Sequence, residues 1–265
     1  MKKADPVIRK IVLPVAGLGK RLRPLTLKTP KGLVPVGGVP LLDYIFRETR
    51  NTLISDVLLV VSPEHRPRFE KYIGGARKRF RKLNFFITEQ EQPLGTGHAV
   101  LCAKKFVGEE PFFVRFCDDL LFDTQPVLVS MSDFFSIFKK PIITLERVPK
   151  RLVSRYGVVG IEKREGRLPI YRLNDLVEKP PQEKAPSNLT IVGSYVLNQS
   201  IIKELIFLDK KARRVDDAVP LTDAFIRQIR SGKDIYGWEF KGDRLDCGTL
   251  DGLRGAEDFF LNKKN

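Results

Sequence analysis

The chain has 265 residues, which is enough for one large α/β domain with a well-buried core or for two small domains. Its hydrophobic fraction of 42% and charged fraction of 30% are ordinary for a globular protein, and no apolar run approaches the roughly 20 residues that a membrane helix needs. The formal net charge of +15 is spread over several segments without a nucleic-acid-binding motif, so it predicts a solvated basic surface. We therefore expect no specific nucleic-acid partner and no membrane partner.

Short apolar runs alternate with longer amphipathic segments through the first half of the chain. In chain order, the hydrophobic periodicity predicts a strand at Ile8 to Val15, a helix at Pro40 to Leu53, a strand at Val57 to Val61, a helix at Glu64 to Arg79, a strand at Leu83 to Thr88, a helix at Thr96 to Lys105, a strand at Phe112 to Cys117, a helix at Pro126 to Phe138 and a strand at Ile142 to Leu145. Such βαβ alternation predicts an α/β fold whose mostly parallel sheet is covered by helices on both faces.

The pattern changes after about residue 150. It predicts half-exposed strands at Tyr156 to Glu162 and Tyr171 to Glu178 with a turn at 165–167, a loop at Lys179 to Ser187, a strand at Leu189 to Leu197, and helices at Ile201 to Leu208, Leu221 to Arg230 and Leu250 to Leu261. No composition break or repeat separates the halves. We therefore predict one domain over residues 1–265, with parts at about 1–150 and 151–248, an antiparallel insertion in the second part, and a C-terminal helical segment at 249–265.

Thiol and imidazole groups are few. The cysteines, Cys102, Cys117 and Cys247, form no CxxC pair, and their odd number favours free buried thiols in a reducing compartment. The basic start of the chain lacks the apolar core and cleavage site of a signal peptide, so we expect a cytoplasmic protein. His98 falls in a predicted helix and His65 is predicted at the surface, so neither a histidine metal cluster nor a Ser-His-Asp triad is expected.

A glycine loop follows the first predicted strand, in the stretch IVLPVAGLGKRLRPLTLKTPKGLVPV. Ligands bind outside the carboxyl ends of strands in open parallel sheets, and Ala16, Gly17 and Gly19 would let backbone N–H groups approach an anion there. Such glycines can also form only a tight turn, but Arg21 and Lys31 add positive charge beside the loop. The loop matches neither the dinucleotide fingerprint nor the P-loop. It therefore favours a polyphosphate site of another kind.

Carboxylates follow two other predicted strands. In FFVRFCDDLLFD, an apolar run leads into Asp118 and Asp119, and Asp246 occupies a similar place in GDRLDCGT. Carboxylate and phosphate oxygens are the ligands that Mg²⁺ prefers, so we expect Asp118 and Asp246 to hold Mg²⁺ from two sides. For Asp119, the expectation is a helix N-cap or a supporting contact behind the metal ligands.

Two further stretches carry polar groups on loops or at strand ends. In EQPLGTGHAV and the residue before it, Gln90, Pro93 and Gly95 lie ahead of a predicted helix, where amide groups can read the edge of a base. In LVEKPP, Glu178 and Lys179 come at a strand end and pair a hydroxyl acceptor with a phosphate-binding cation. A surface ion pair is the alternative interpretation of Glu178 and Lys179.

Together these motifs resemble one enzyme family over the stretch from Ile11 to Phe260. In chain order they are PVAGLGKRLRPLT with TPK, EQPLGTGHAV, DDL, SRYGVV, LVEKP, APSNLTIVGSYVL, LTDA and LDCG. They resemble the bacterial and archaeal UTP–glucose-1-phosphate uridylyltransferases, and GHAV, SRYGV and APSNLTIVG are closer to this branch than to the glucose-1-phosphate thymidylyltransferases. The resemblance implies a Rossmann-like nucleotide-diphospho-sugar transferase fold, in which the first part binds the nucleotide and the antiparallel insertion binds the sugar.

The resemblance also implies site residues, cofactor and partners. Carried over by position, it assigns nucleoside contacts to Ala16, Gly17, Gln90 and Gly95, contacts with the β/γ-phosphates to Arg21 and contacts with the α-phosphate to Lys31. It assigns Mg²⁺ binding to Asp118 and Asp246. It assigns contacts with the sugar hydroxyls to Gly157, Glu178 and Gly193, and contacts with the sugar phosphate to Lys179. The implied substrates are UTP and glucose 1-phosphate, and the implied assembly is a homo-oligomer, a dimer or a tetramer. Most members of this branch have Glu after the lysine, where this chain has Gly32. The alternatives are a thymidylyltransferase or another sugar-1-phosphate nucleotidyltransferase and, more remotely, a non-catalytic sugar-nucleotide sensor.

The implied chemistry needs no nucleophilic side chain. The attacking group is an oxygen of the sugar phosphate, which is largely ionised at neutral pH because the second pKa of a phosphate monoester is about 6. The protein supplies in-line positioning and charge neutralisation, and Arg21, Lys31, Lys179 and Mg²⁺ suit that task.

Overall fold

The computed structural model describes residues 7–212 and 217–262. The first six residues, to which the signal-peptide prediction refers, and the last three residues of the predicted C-terminal segment lie outside the described part of the chain. Among the described residues, no helix combines the length and the apolar character that crossing a membrane requires.

The order of helices and strands agrees with the sequence prediction through most of the chain. The strands are β1 (Lys10–Pro14), β2 (Pro35–Val36), β3 (Val39–Pro40), β4 (Asp56–Val61), β5 (Asn84–Glu89), β6 (Phe112–Arg115), β7 (Asp119–Phe122), β8 (Ile142–Arg147), β9 (Gly157–Arg164), β10 (Ile170–Glu178), β11 (Leu189–Leu197), β12 (Tyr236–Glu239) and β13 (Asp243–Asp246). The α-helices are α1 (Leu41–Glu48), α2 (Arg66–Arg79), α3 (Gly95–Cys102), α4 (Lys104–Val107), α5 (Val127–Phe138), α6 (Gln199–Lys211), α7 (Leu221–Arg230) and α8 (Leu250–Asn262).

A nine-stranded mixed sheet, in the order β5-β4-β1-β6-β11-β8-β12-β10-β9, forms the centre of the fold. The first four of these strands are parallel, which confirms the prediction from the βαβ alternation. Successive strand residues point to opposite faces of a sheet, and both faces are covered here. Leu13 belongs to the apolar cluster on one face, and its neighbour Val12 belongs to the cluster on the other.

The second half of the chain adds antiparallel strands to the same sheet. β11 pairs antiparallel with both β6 and β8, so it connects the parallel strands to the later ones. β9 and β10 form the predicted hairpin, whose turn contains Gly166 at a φ of 58°, a left-handed conformation that glycine adopts without strain. The antiparallel insertion is therefore confirmed. The division of one domain at about residue 150 stays a prediction.

One strand in the middle of the sheet is absent from the sequence prediction. β12 lies between β8, to which it is parallel, and β10, to which it is antiparallel. Its residues, YGWE, are too few and too weakly alternating to predict a strand. Gly237 permits close packing there, because a Cβ at this position would lie 2.3 Å from Leu145 Cδ1.

Aromatic contacts dock the C-terminal helix beside the small β7–β13 ladder. The ring of Phe260 on α8 stacks on Tyr44 with centroids 5.0 Å apart, and it meets Phe122 edge-on at 5.7 Å. The backbone N–H of Gly37 donates to Glu257 Oε2 at 2.9 Å. These contacts fix the position of the helix that follows Asp246.

The surface position predicted for His65 is wrong. The side chain is buried ahead of α2, where its Nδ1 lies 3.0 Å from Ser62 Oγ. This hydroxyl partner satisfies the ring nitrogen and so allows the imidazole to be buried.

Candidate active site

A cavity of about 420 Å³ opens at the carboxyl ends of β1 and β6, the place where ligands bind in open α/β sheets. Its walls come from the glycine loop, the segment before α3, the segment after β6, and strand β11. The lining residues are Pro14, Val15, Ala16, Gly17, Arg21, Lys31, Gln90, Pro93, Gly95, Thr96, Ala99, Phe116, Cys117, Asp118, Asp119, Ile191, Gly193 and Tyr195. The cavity thus brings together Ala16, Gly17, Arg21, Lys31, Gln90, Pro93 and Gly95, which were predicted for the nucleotide and its phosphates, with Asp118 and Gly193, whereas Gly19 lines an adjoining cleft.

The glycine loop has the conformation that an anion cradle needs. Gly19 has a φ of 59°, and a Cβ there would lie 2.7 Å from Thr26 Cγ2, so a side chain is excluded. The hydroxyl of Thr26 donates to the Gly19 carbonyl at 2.8 Å and closes the loop. A Cβ on Gly17 would meet no atom within 4 Å, so another molecule has room to approach this backbone. Arg21 lines both the cavity and an adjoining cleft that also contains Gly19.

The two predicted metal ligands face one point beside Gly248. A Cβ on Gly248 would lie 2.9 Å from Asp118 Oδ2, 2.9 Å from Asp246 Oδ1 and 3.1 Å from Arg21 Nη2. Asp246 does not line the main cavity, but the β7–β13 ladder pairs it with Asp119 and so places it next to Asp118. The N–H of Cys247 also donates to the Asp118 carbonyl at 2.7 Å.

The space beside Gly248 fits a magnesium ion. Mg²⁺ is commonly held by one or two protein carboxylates, while substrate phosphates and water complete its octahedral shell. Asp118 and Asp246 supply two carboxylates. Within residues 7–212 and 217–262, no cluster of three or more His, Cys, Asp or Glu side chains offers an all-protein metal site.

Lys31 forms an ion pair with Asp118 Oδ2. Burial is the largest single influence and would lower the pKa of Lys31, but the Coulombic attraction of Asp118, a Coulombic contribution from Cys117 and the hydrogen bond with Asp118 together outweigh it, so the pKa is raised. The ammonium is therefore fully charged at neutral pH, next to a carboxylate that faces the cavity.

The helix N-cap predicted as one role for Asp119 is wrong, because Asp119 begins strand β7. Its Oδ1 accepts hydrogen bonds from Arg244 Nε at 2.8 Å, and its Oδ2 accepts one from the N–H of Gly193 at 3.1 Å. Burial raises the pKa of Asp119, and the attraction of Arg244 limits that rise. The other predicted role, support behind the metal ligands, matches these contacts.

The side-chain amide of Gln90, which lines the cavity, has a fixed orientation. Gln90 is buried, and its Nε2 donates to the Gly95 carbonyl at 3.0 Å and lies 3.1 Å from His98 Nδ1. A carbonyl only accepts hydrogen bonds, so the atom near Gly95 is the amide nitrogen. Gln90 Oε1 is then the atom left to accept a hydrogen bond from a ligand.

Gly32, where the chain departs from the family pattern, does not line the cavity. A Cβ at this position would lie 3.1 Å from Leu42 Cγ and 3.3 Å from Val15 Cγ1. The side of Gly32 from which a side chain would project is therefore filled by apolar residues of this chain.

Of the predicted sugar-binding residues, Gly193 lines the cavity, whereas Gly157, Glu178 and Lys179 lie next to the lining residue Ile191 or follow in the chain from its neighbours. Gly157 and Glu178 are opposite each other in the β9–β10 pairing, and a Cβ on Gly157 would lie 2.9 Å from Ile191 Cδ1. Lys179 has a φ of 46°, and its Nζ lies 3.9 Å from Glu178 Oε1. The side chain of Lys179 is 64% exposed, so it is free to turn toward a ligand. Gly157, Glu178 and Lys179 border the cavity without lining it.

Ile191, Tyr195 and Arg244 are among the side chains at the site that are absent from the sequence prediction. Ile191 and Tyr195 alternate with Gly193 on β11, so strand periodicity from Gly193 could have identified both of them. Burial raises the pKa of Tyr195, and the Asp119 and Glu178 carboxylates add to the rise. Arg244 lies two residues before Asp246 on β13, so strand periodicity from Asp246 could likewise have identified Arg244.

A mixed sheet whose first four strands are parallel, a glycine loop at its carboxyl edge, two cations and two converging carboxylates are typical of a protein that binds a nucleoside polyphosphate with a divalent metal. The chain belongs to the nucleotidyl transferase family, whose model matches residues 10–263.

Relatives within this family are similar over almost the whole chain. The UTP–glucose-1-phosphate uridylyltransferase YngB of Bacillus subtilis is 32% identical, over 91% of this chain and 85% of the relative. A UTP–glucose-1-phosphate uridylyltransferase of Pseudomonas aeruginosa is also 32% identical, over 96% of both chains.

Solved structures are also similar over nearly the whole chain. A UDP-glucose pyrophosphorylase complexed with UDP-glucose has a TM-score of 0.85 and 32% identity, over 97% of this chain and 99% of the other. The UTP-bound UDP-glucose pyrophosphorylase of Acinetobacter baumannii has a TM-score of 0.80 and 31% identity, over 96% and 93% of the two chains. The predicted fold and family are confirmed.

Proposed function

We propose that this chain transfers the uridylyl group of UTP to glucose 1-phosphate, giving UDP-glucose and pyrophosphate. One observation carries the proposal: Arg21, Lys31 and Asp118 line the same cavity as Gln90, and Asp246 meets Asp118 and Arg21 beside Gly248. The names of its relatives supply the substrate pair.

The reaction is an in-line displacement at the α-phosphorus of UTP. A phosphate oxygen of glucose 1-phosphate forms the new P–O bond, the bond to the bridging α–β oxygen breaks, and pyrophosphate leaves with the electron pair. This oxygen is already ionised at neutral pH, so no side chain has to remove a proton. Arg21 beside the glycine loop faces the β- and γ-phosphates, and Lys31 faces the α-phosphate. Their charges stabilise the negative charge that moves toward pyrophosphate.

Asp118 and Asp246 would hold Mg²⁺ beside Gly248. When bound there, the ion would neutralise part of the negative charge of the phosphates. Lys31 then has two roles, because it is paired with Asp118 and lies next to the phosphates.

Gln90 explains the choice of base. Uracil presents an N3–H donor, which Gln90 Oε1 can accept, whereas cytosine presents an acceptor at the same position and would leave both groups unpaired. The contacts of Gln90 Nε2 with Gly95 and His98 hold the amide in this orientation. A purine needs a wider slot than a pyrimidine, so we expect the loop around Pro93 to Gly95 to discriminate against it.

The sugar lies on the side of Gly157 and Gly193. A Cβ on Gly193 would lie 2.7 Å from Asp119 Oδ2, so this position excludes a side chain. Glu178 accepts hydrogen bonds from the sugar hydroxyls, and Lys179 reaches the sugar phosphate from its exposed position. The exposed ion pair between Glu178 and Lys179 is weak, so a phosphate can displace it.

The proposal includes a cytoplasmic location and a homo-oligomeric assembly. The described residues hold three free cysteines, which suits the reducing cytoplasm. A homo-oligomer, a dimer or a tetramer, is the expected assembly, and light scattering measures it directly.

Pyrophosphate release, measured across a matrix of nucleoside triphosphates and sugar 1-phosphates with Mg²⁺, tests the proposal. UTP with glucose 1-phosphate should give the highest kcat/KM and should exceed ATP and GTP by several orders of magnitude. UTP should exceed dTTP by ~10–100-fold, the range for a single-contact or methyl-sized difference. A UTP-to-dTTP ratio below one would identify a thymidylyltransferase. Binding of nucleotide sugars without any turnover would identify the non-catalytic sensor.

A further inference from the structure

Arg244 connects the two halves of the site without lining the cavity. Its Nη2 lies 2.7 Å from Asp119 Oδ1, and its Nη1 donates to Glu146 Oε2 at 2.8 Å. The guanidinium carbon lies 5.5 Å from the centre of the Tyr156 ring. Only 10% of the side chain is exposed, so these three partners largely enclose it.

On the metal side, Arg244 links the segments that carry both carboxylates, β13 with Asp246 and the start of β7, which Asp118 precedes. It lies on β13 two residues before Asp246, and it binds Asp119, which follows Asp118 and pairs with Asp246 in the β7–β13 ladder. Asp119 Oδ1 is thereby engaged by the guanidinium, while Asp118 Oδ2 faces Gly248. Arg244 thus helps to decide which of two adjacent aspartates is turned toward the cation.

On the sugar side, the same arginine acts through two contacts. Asp119 Oδ2 accepts the N–H of Gly193 on β11, so the Arg244–Asp119 pair fixes the backbone proposed to meet the sugar. Tyr156 precedes Gly157, and its carbonyl accepts the N–H of Lys179 at 2.9 Å. A shift of Arg244 would therefore move residues on both sides of the sugar phosphate.

We propose that Arg244 is a positioning residue, which sets the separation between the metal carboxylates and the glucose 1-phosphate site. This inference rests on the proposed function. A buried ion pair adds little net stability, because desolvation offsets the attraction, and an apolar replacement of similar size is often neutral for folding. The planar fork of arginine instead fixes Asp119 and Glu146 at once, which a lysine ammonium does not do.

The test uses Arg244→Met, Arg244→Lys and Asp119→Asn in the full chain, with Arg147→Met as a matched control. Arg147 forms an ion pair with Glu239 at 2.9 Å, as Arg244 does with Asp119. Neither Arg147 nor Glu239 lines the cavity. Thermal unfolding checks folding. Mn²⁺ affinity, measured by electron paramagnetic resonance in the absence of substrates, reports on the carboxylates. The KM values for glucose 1-phosphate and UTP report on the two halves of the site.

Arg244→Met should weaken Mn²⁺ binding and raise the KM for glucose 1-phosphate, each by about tenfold, the typical effect of one charge-assisted contact. The KM for UTP should change by less than about threefold, because the Gln90 and Arg21 contacts stay in place. Arg244→Lys should restore part of the loss, Asp119→Asn should reproduce it, and Arg147→Met should leave all three values near wild type.

Two results would overturn the proposal. One is a folded Arg244→Met or Arg244→Lys protein with wild-type Mn²⁺ affinity and a wild-type KM for glucose 1-phosphate. The other is an Arg147→Met protein whose Mn²⁺ affinity and KM for glucose 1-phosphate change as much as those of Arg244→Met. Loss of any ion pair would then explain the effect. The Mn²⁺ titration needs no substrate, so it separates failure of this inference from failure of the proposed reaction, which the substrate matrix measures.

Discussion

Gly248→Ala places one methyl group where the proposed cation lies. The new Cβ would lie 2.9 Å from Asp118 Oδ2 and Asp246 Oδ1, and 3.1 Å from Arg21 Nη2. Gly248 does not have a positive φ, so alanine fits the backbone without strain. The neighbours that must move are the ends of side chains, and the fold should therefore tolerate the change.

The expected loss follows from this geometry. Each carboxylate must retreat by about half an ångström to reach an ordinary van der Waals separation, while Mg²⁺ demands near-ideal octahedral geometry. A misplacement of about 1 Å can cost about a hundredfold in kcat, so a shift of half that size should cost about tenfold, or about 1.4 kcal/mol of transition-state stabilisation. The assay is pyrophosphate release from UTP and glucose 1-phosphate over a range of Mg²⁺ concentrations. The half-saturating Mg²⁺ concentration should rise while kcat falls.

Gly255→Ala is the matched control for this prediction. Gly255 lies in α8, and a Cβ there would meet no atom within 4 Å. Alanine should stabilise the helix by about 0.5–1 kcal/mol and leave turnover unchanged. If Gly248→Ala keeps wild-type turnover and wild-type Mg²⁺ dependence, the cation does not bind between Asp118 and Asp246.

Three further substitutions test other parts of the site. Arg21→Lys should lower kcat/KM by about tenfold, because a point charge cannot replace the planar guanidinium on a polyphosphate, and unchanged kinetics would remove Arg21 from the phosphate site. Lys179→Ala should raise the KM for glucose 1-phosphate by about tenfold and change that for UTP much less, whereas equal effects on both would make Lys179 a shared or structural residue. Gly32→Ala should cost about 1 kcal/mol of unfolding free energy in urea, because its Cβ would crowd Leu42 and Val15. The UTP-to-dTTP ratio should stay constant in Gly32→Ala, and a changed ratio would place Gly32 at the nucleoside.

The parallel half of the sheet could be predicted from the sequence because each strand there is a continuous buried run and each connection has helical period. Asp118 could be placed for the same reason, since it lies three residues after the end of the buried strand β6. The predicted positions of Gln90, Lys31 and Arg21 depended on motifs, and the fold brings all three to one cavity.

Contacts between distant segments could not be predicted. Asp119 followed by Leu120 and Leu121 is compatible with a helix start, and only the pairing with β13 makes it a strand. The role of Arg244 depends on Asp119 and Glu146, which are far from it in sequence. Such partners are chosen by tertiary packing, which periodicity within one segment does not report.

The central position of β12 affects how the chain is made on the ribosome. Its two neighbours, β8 and β10, are complete by Glu178, but β12 begins only at Tyr236, so both neighbours are synthesised well before the strand that separates them. During that interval the facing edges of β8 and β10 have unpaired backbone groups, which can pair with the edges of other nascent chains. A chain that ends before Tyr236 should therefore aggregate rather than fold as a smaller unit, and the yield of native protein should depend on how quickly the last residues are synthesised.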